Sequence, residues 1–193
     1  MGKSRRTSTD IHDKDVPEAD KERSAGNKAE EEEEEMNSRQ DERPTAVVGR
    51  NTFIHPTVIM EGNDTITIGD DCYVGPWCYL RGKIKIGNEC WIGPGVKLHG
   101  EGFLGIEDDV GIGSNAVILT TEHNQLQRGV IIRRRMISTP VLLERGCDIG
   151  CNATILSGAL VGRNVQVGAG AVVTRNSAIH EGIYAGVPAK RIR

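Results

Sequence analysis

No stretch of this 193-residue sequence is apolar for long enough to cross a bilayer, which takes about 20 consecutive apolar residues. The opening MGKSRRTSTD carries an arginine pair but no apolar segment behind it, so it does not read as an export signal. Arg6 occupies the place where a myristoylation motif needs Ser or Thr. The five cysteines form no CxxC pair, which argues against a zinc site, and their odd number suits free thiols. A strong excess of one charge is also missing beyond residue 45. Fifteen Lys/Arg face thirteen Asp/Glu there, a net of +2, which argues against a nucleic-acid partner. We therefore expect a cytoplasmic protein with no metal, no membrane insertion and no nucleic acid bound.

The charge that is present lies at the front. Residues 1–45 hold nine Lys/Arg and fourteen Asp/Glu, including the run Glu30–Glu35. Their only sizeable aliphatics are Ile11, Val16 and Met36, too little apolar surface to offset the entropy of ordering. This segment is expected to be a disordered acidic tail, and residues 46–193 to form the folded domain.

What dominates that domain is a repeat. Ile68, Val74, Leu80, Ile86, Ile92 and Leu98 fall at an interval of six. After a two-residue insertion Ile106, Ile112 and Ile118 continue, and after a longer one Leu143, Ile149, Ile155, Val161, Val167, Val173 and Ile179 resume. Ile54 and Met60 make a weaker start. If each aliphatic is position one of a hexad, position two is Gly in many hexads and position five is small or branched, as at Cys72, Cys90, Ala116, Cys147, Ala153 and Ala171.

Side chains alternate across a strand, so position five and the next position one point inward together. Positions two to four then turn a corner, where Gly, Asn and Asp are tolerated. Three sides and three corners close a triangle of eighteen residues. The spacing predicts an all-β left-handed parallel β-helix, a triangular solenoid of hexapeptide repeats with about six coils, roughly 29 Å long at ~4.8 Å per coil. Cys72 and Cys90 should stack inward, near enough to be bridged, yet in so tightly filled an interior we read them as free thiols. Tyr73 and Trp91 should stack outward, more in the manner of an oligomer contact than of a sugar platform.

The beat fails at ILTTEHNQLQRG, residues 118–129, and a loop over 124–142 is expected to protrude. Counted on from Ile118, His123 is at position six, facing out, where an imidazole can take a proton near neutral pH. His55, His99 and His180 fall at position two and read as surface residues. Arg133, Arg134 and Arg135 form a solvated basic run in the loop. Arg145 and Arg163, eighteen apart, make a small basic column suited to phosphate.

Residues 52–193 resemble the hexapeptide-repeat acyltransferases, through the repeat itself, through LTTEHN before the loop, and through the ending GAGAVVTRNSAIHEGIYAGVPAKRIR. The resemblance is to the galactoside and maltose O-acetyltransferase branch. It implies an acetyl-coenzyme A-dependent O-acyltransferase acting on a sugar or glycan hydroxyl, as a homotrimer with sites between subunits. It further implies His123 as general base, with Lys190, Gly168 and Ala169 of the ending at the coenzyme, and the basic column adds Arg163 there. Asp148 and Trp77 depart from the family, where many members have Trp and some sugar acetyltransferases have Asn. Three other readings remain: an N-acetyltransferase on an amino sugar, a metalloenzyme like the γ-class carbonic anhydrases, and a non-catalytic trimeric scaffold. The metalloenzyme needs three zinc-binding histidines, and here His99 and His123 lack a second loop histidine.

Overall fold

The structure, a computed structural model, describes residues 44–193. The expected acidic tail, residues 1–45, lies outside the described residues apart from Pro44 and Thr45, and Thr45 already opens the first strand, Thr45–Val48. From there the chain winds into a three-sided parallel β-solenoid with no α-helix among the described residues.

The hexad positions predict the register of all three sides. On the first side Val48, Ile68, Ile86, Ile106, Leu143, Val161 and Ile179 stand one above another. The second side stacks Ile54, Val74, Ile92, Ile112, Ile149, Val167 and Tyr184. The third stacks Met60, Leu80, Leu98, Ile118, Ile155 and Val173. The register thus spans seven levels rather than about six, because Val48 joins below and Tyr184 above. All position-one aliphatics from Ile68 to Ile179 are buried, and so are the position-five residues Cys72, Cys78, Cys90, Val96, Val110, Ala116, Cys147, Ala153, Ala159, Val165 and Ala171. Each fully buried Ile or Leu contributes about 1.5–3 kcal/mol, so these columns hold the coils together.

Corners form because position four adopts a left-handed backbone. Asp71, Asn115, Asn152, Asn164 and Asn176 have φ of 54–59°, and Gly95, Gly146, Gly158 and Gly170 take the same place. Asn, Asp and Gly tolerate this region where most side chains do not. Glycine at position two answers a different demand. At Gly113 and Gly150 an added Cβ would lie 2.5 Å from the backbone nitrogen of the next coil's corner, Cys151 and Ala169 respectively.

The cysteines are free. Cys72, Cys78 and Cys90 donate their S–H to the carbonyls of Gly87, Gly93 and Glu107, each at 3.1 Å. Burial pushes the thiols of Cys90 and Cys147 up to about 12, which leaves them inert. Outside, Phe53 joins Tyr73 and Trp91 in a three-ring stack with centroids 5.7 and 5.9 Å apart. Phe53 belongs to a coil that the weak start of the repeat understated.

At the far end the strands Ile183–Ala185 and Lys190–Arg191 pair antiparallel, and the Ala189 N–H donates to the Val172 carbonyl. This hairpin covers the last coil with Tyr184 and Ala189. In a chemical denaturation series, Gly150→Ala is expected to lose about 1–3 kcal/mol, since backbone rather than a flexible side chain must yield. A Gly150→Ala chain as stable as the parent would show that the coils are not packed to this limit.

Candidate functional site

Call the corner after each side by that side's number. From Val48 to Ile179 every step between stacked aliphatics is six residues except three: Met60 to Ile68, Leu98 to Ile106 and Ile118 to Leu143. All three lie at the third corner. The strands Tyr79–Ile86 and Lys97–Ile106 run through this corner without a break, with a bulge between Gly82 and Ile84, and so join the third and first sides. The two buried polar side chains among the described residues, Thr120 and Ser157, are there too.

The longest interruption is an arm. Thr121–His123 pairs antiparallel with Met136–Ser138, and a 3₁₀ turn over Ile131–Arg133 lies between them. The chain therefore leaves the coil at Thr121, not after His123 as the hexad count suggested. Leu119, paired with His99, is the last residue in parallel register. Thr120 pins the root: its hydroxyl donates to the His99 carbonyl at 2.8 Å and accepts from the Gly102 N–H at 2.8 Å, while its own carbonyl accepts from the Thr139 N–H. Glu122 makes an ion pair with Arg175, which stands at the third corner two coils above. Neither Thr120 nor Arg175 is legible as a site residue before the antiparallel pairing is known.

His123 lines a cavity of about 500 Å³ with Glu122, Gln125, Ile131 and Arg134. Its Nδ1 lies 3.4 Å from the Arg134 carbonyl. A carbonyl only accepts, so this contact favours the proton on Nδ1 and leaves Nε2 with its lone pair. The Arg134 guanidinium turns back onto the Gly129 carbonyl at 3.0 and 3.1 Å and shapes the cavity wall. At the arm's tip Leu126, Val130, Ile131 and Ile132 are all exposed.

The other expected site residues divide into two places. Gly168, Ala169 and Lys190 come together at the upper end of the second side. Gly168 donates its N–H to the Tyr184 carbonyl at 2.7 Å, and Lys190 pairs with neighbouring Ala185. Lys190 is exposed, and a Cβ on Gly170, next to Ala169 in sequence, would meet nothing within 4 Å. Arg163 is at the first corner, across the second side from them. There the expected basic column is a neutralised ladder. Arg145 pairs with Asp108 and Asp109, and Arg163 approaches Glu107 at 3.7 Å while its N–H donates to Glu144 at 3.1 Å. The Asn88 N–H and the Arg145 guanidinium hold the Asp108 carboxyl below its ordinary range. His99 is not a plain surface residue: it is half-buried against Tyr79, and burial lowers its pKa. Among the described residues no group of three or more His, Cys, Asp or Glu is placed to hold a metal ion.

Residues 65–100 match the bacterial transferase hexapeptide family (six repeats), and residues 140–175 match the hexapeptide repeat of succinyl-transferase. None of the curated proteins matches the sequence. Among solved structures the chain is similar to a variant of AntD, an N-acyltransferase from Bacillus cereus, in complex with dTDP and coenzyme A. The identity is 24%, the TM-score 0.69, and the match covers 77% of this chain and 82% of that one. A second AntD variant, in complex with dTDP-4-amino-4,6-dideoxyglucose and coenzyme A, matches at 22% identity and TM-score 0.66 over the same shares. A hexapeptide transferase family protein from Anaplasma phagocytophilum matches at 21% and 0.61, covering 78% and 81%. At these identities the likeness is one of fold.

Thr120→Val keeps the shape of the root but removes the hydroxyl, leaving the part-buried Gly102 N–H unpaired and the His99 carbonyl with the Thr120 N–H alone, a loss of about 1–3 kcal/mol. Trypsin should then cut the arm at Arg128 or Arg133–Arg135 several-fold faster than in the parent. Equal cutting rates would mean that Thr120 does not hold the arm.

Proposed function

The chain carries the bacterial transferase hexapeptide repeat, and from that premise we propose that it is an acyltransferase moving an acetyl group from acetyl-coenzyme A to a sugar. The observation that carries the proposal is His123, which the arm presents to a cavity with Nδ1 directed at a backbone carbonyl. In this reading Nε2 removes the proton from the acceptor's hydroxyl or amino group as that group attacks the thioester carbonyl. The carbon–sulfur bond then breaks, and the departing thiolate takes the proton from the imidazolium. One base serves both kinds of acceptor, because each must shed a proton to become an ester or an amide. An amino-sugar acceptor has support from AntD, an N-acyltransferase of similar fold with an amino-sugar nucleotide bound. A long contact such as 3.4 Å is of the kind that tightens once substrate is in place.

Lys190, with Gly168 and Ala169 beside it, is proposed to receive the coenzyme's phosphates. It is an exposed cation on the terminal hairpin that pairs above Gly168. Arg163 lies one side away and faces Glu107, so we assign it no separate role in the transfer. The acting form is proposed to be a homotrimer, because the arm tip exposes four large aliphatics that a neighbouring subunit would cover.

A general base of this kind is worth on the order of 10²–10⁴ in rate. His123→Ala should lower kcat by about that factor while acetyl-coenzyme A binding, followed by calorimetry, is unchanged. Near-normal turnover by His123→Ala on an acceptor that the parent acetylates would remove His123 from the mechanism.

A further inference from the structure

Every insertion in this solenoid falls at the third corner, and in repeat proteins the face that collects insertions is often the binding face. Below the arm, that corner carries polar side chains that the proposed transfer leaves unused. In register up the coils stand Glu61, Arg81 and His99, followed by Leu119 at the arm's root. Tyr79, one residue before Leu80, donates its hydroxyl to Glu61 Oε2 at 2.6 Å. The His99 ring lies tilted on the Tyr79 ring, with centroids 5.3 Å apart. Arg81 Nε reaches Glu101 Oε1 at 3.2 Å. The Gly102 that follows Glu101 bonds to Thr120, so the cluster and the arm share one foothold.

The shape of this surface is built into the chain. Position two of the third side would ordinarily enter a tight turn. Here Gly82 at φ 90° and the Glu101–Gly102 insertion let the strand continue, so long side chains line the edge. Phe103 beyond the insertion sits at φ 75°, a left-handed backbone that is costly for a large aromatic residue and is retained where the surroundings impose it. His99 is partly buried, and burial holds its pKa down against the pull of Glu101, so the imidazole is neutral near pH 7 and can both donate and accept. Two carboxylates, a phenol, a guanidinium and a neutral imidazole on an aromatic ring make a set of donors and acceptors fitted to vicinal hydroxyls. Nothing in it is suited to burying an apolar acceptor.

We infer that the third corner below the arm, made by Glu61, Tyr79, Arg81, His99 and Glu101, is the acceptor subsite and that it grips the ring hydroxyls of a pyranose. The inference rests on the acyltransferase reading. It adds that specificity lies on the coils beneath the arm, while the arm supplies the base. His99 and Glu101 are specificity residues here and take no part in the proton transfer.

The test is acetyl transfer by the full chain, followed by thiol release from acetyl-coenzyme A. The acceptors offered are free hexoses, 2-amino and 4-amino hexoses, and dTDP-4-amino-4,6-dideoxyglucose. On the best acceptor His99→Gln, Tyr79→Phe and Glu101→Gln should each raise the acceptor KM tenfold or more. The KM for acetyl-coenzyme A should stay within twofold, and Arg50→Ala, at the first corner, should change neither. Tyr79→Phe keeps the ring under His99, so a loss there reports the hydroxyl rather than the packing. An unchanged acceptor KM in all three variants, or a rise confined to the coenzyme KM, would overturn the assignment. If no sugar is acetylated although the chain binds acetyl-coenzyme A, the pyranose assignment fails while the acyltransferase reading survives. If acetyl-coenzyme A does not bind, the acyltransferase reading fails as well.

Discussion

The protein depends on vertical coincidence: each inward side chain must sit over its counterpart one coil below. Side chains of a parallel ladder are spaced by the strand separation, about 4.8 Å, so a column of aliphatics touches along its whole length only while the register is kept. Register in turn depends on corners of constant length. That is why the left-handed residue recurs at position four, and why glycine recurs at position two, where the next coil's backbone comes within 2.5 Å of a would-be Cβ. A corner that gained a side chain in the wrong place would push two columns apart together. The hydrogen bonds follow the same logic. At the first corner the N–H groups of Arg50, Asp70 and Asn88 each donate to a side-chain oxygen of the residue stacked next to them, at 2.7–2.9 Å.

So strict a frame leaves little freedom for chemistry. A uniform solenoid has smooth sides, and a cleft has to be made by chain that leaves the ladder. Here all departures are confined to one corner, where the coil strands bend through rather than turn. Between Val48 and Ile179 the first and second corners keep their length, so the core columns stay aligned while the third corner varies. Thr120 marks the boundary. Its hydroxyl ties the departing chain to the coil beneath, through His99 and Gly102, and its carbonyl accepts from Thr139 on the returning chain. The antiparallel pairing of Thr121–His123 with Met136–Ser138 carries that definition outward to the imidazole. A site built this way gets its precision from paired backbone rather than from a free loop.

The core was legible in the sequence because its rule is periodic and each hexad tests it again. Cys72, Ala116 and Val165 could be called inward from spacing alone, and all are buried. The free state of Cys72 and Cys90 could be read as well, from the filled interior they face. Legibility ended where periodicity did. The count from Ile118 put His123 in register, but a count cannot detect that the chain has exchanged a parallel partner for an antiparallel one at Thr121. The same blindness made a basic column of Arg145 and Arg163, since the carboxylates that face them sit one coil below at Asp108 and Asp109 for Arg145 and two coils below at Glu107 for Arg163, far away in sequence. His99 looked like a corner residue because its half-burial comes from Tyr79, a neighbour across coils.

The central claim is that the coils are sufficient for the fold and the arm is required for transfer. The hexad itself supplies the test. Removing residues 121–139 brings Leu143 back to six residues after Ile118, and Thr120 already lies within hydrogen-bonding distance of the chain that returns. Acetyl transfer by this shortened chain is the measurement, taken alongside its circular dichroism and its binding of acetyl-coenzyme A. A β-solenoid that still binds acetyl-coenzyme A but has lost transfer by at least a hundredfold, the low end of what a general base contributes, is the expected result. Transfer at the parent's rate from the shortened chain would contradict the claim and place the chemistry elsewhere on the coils.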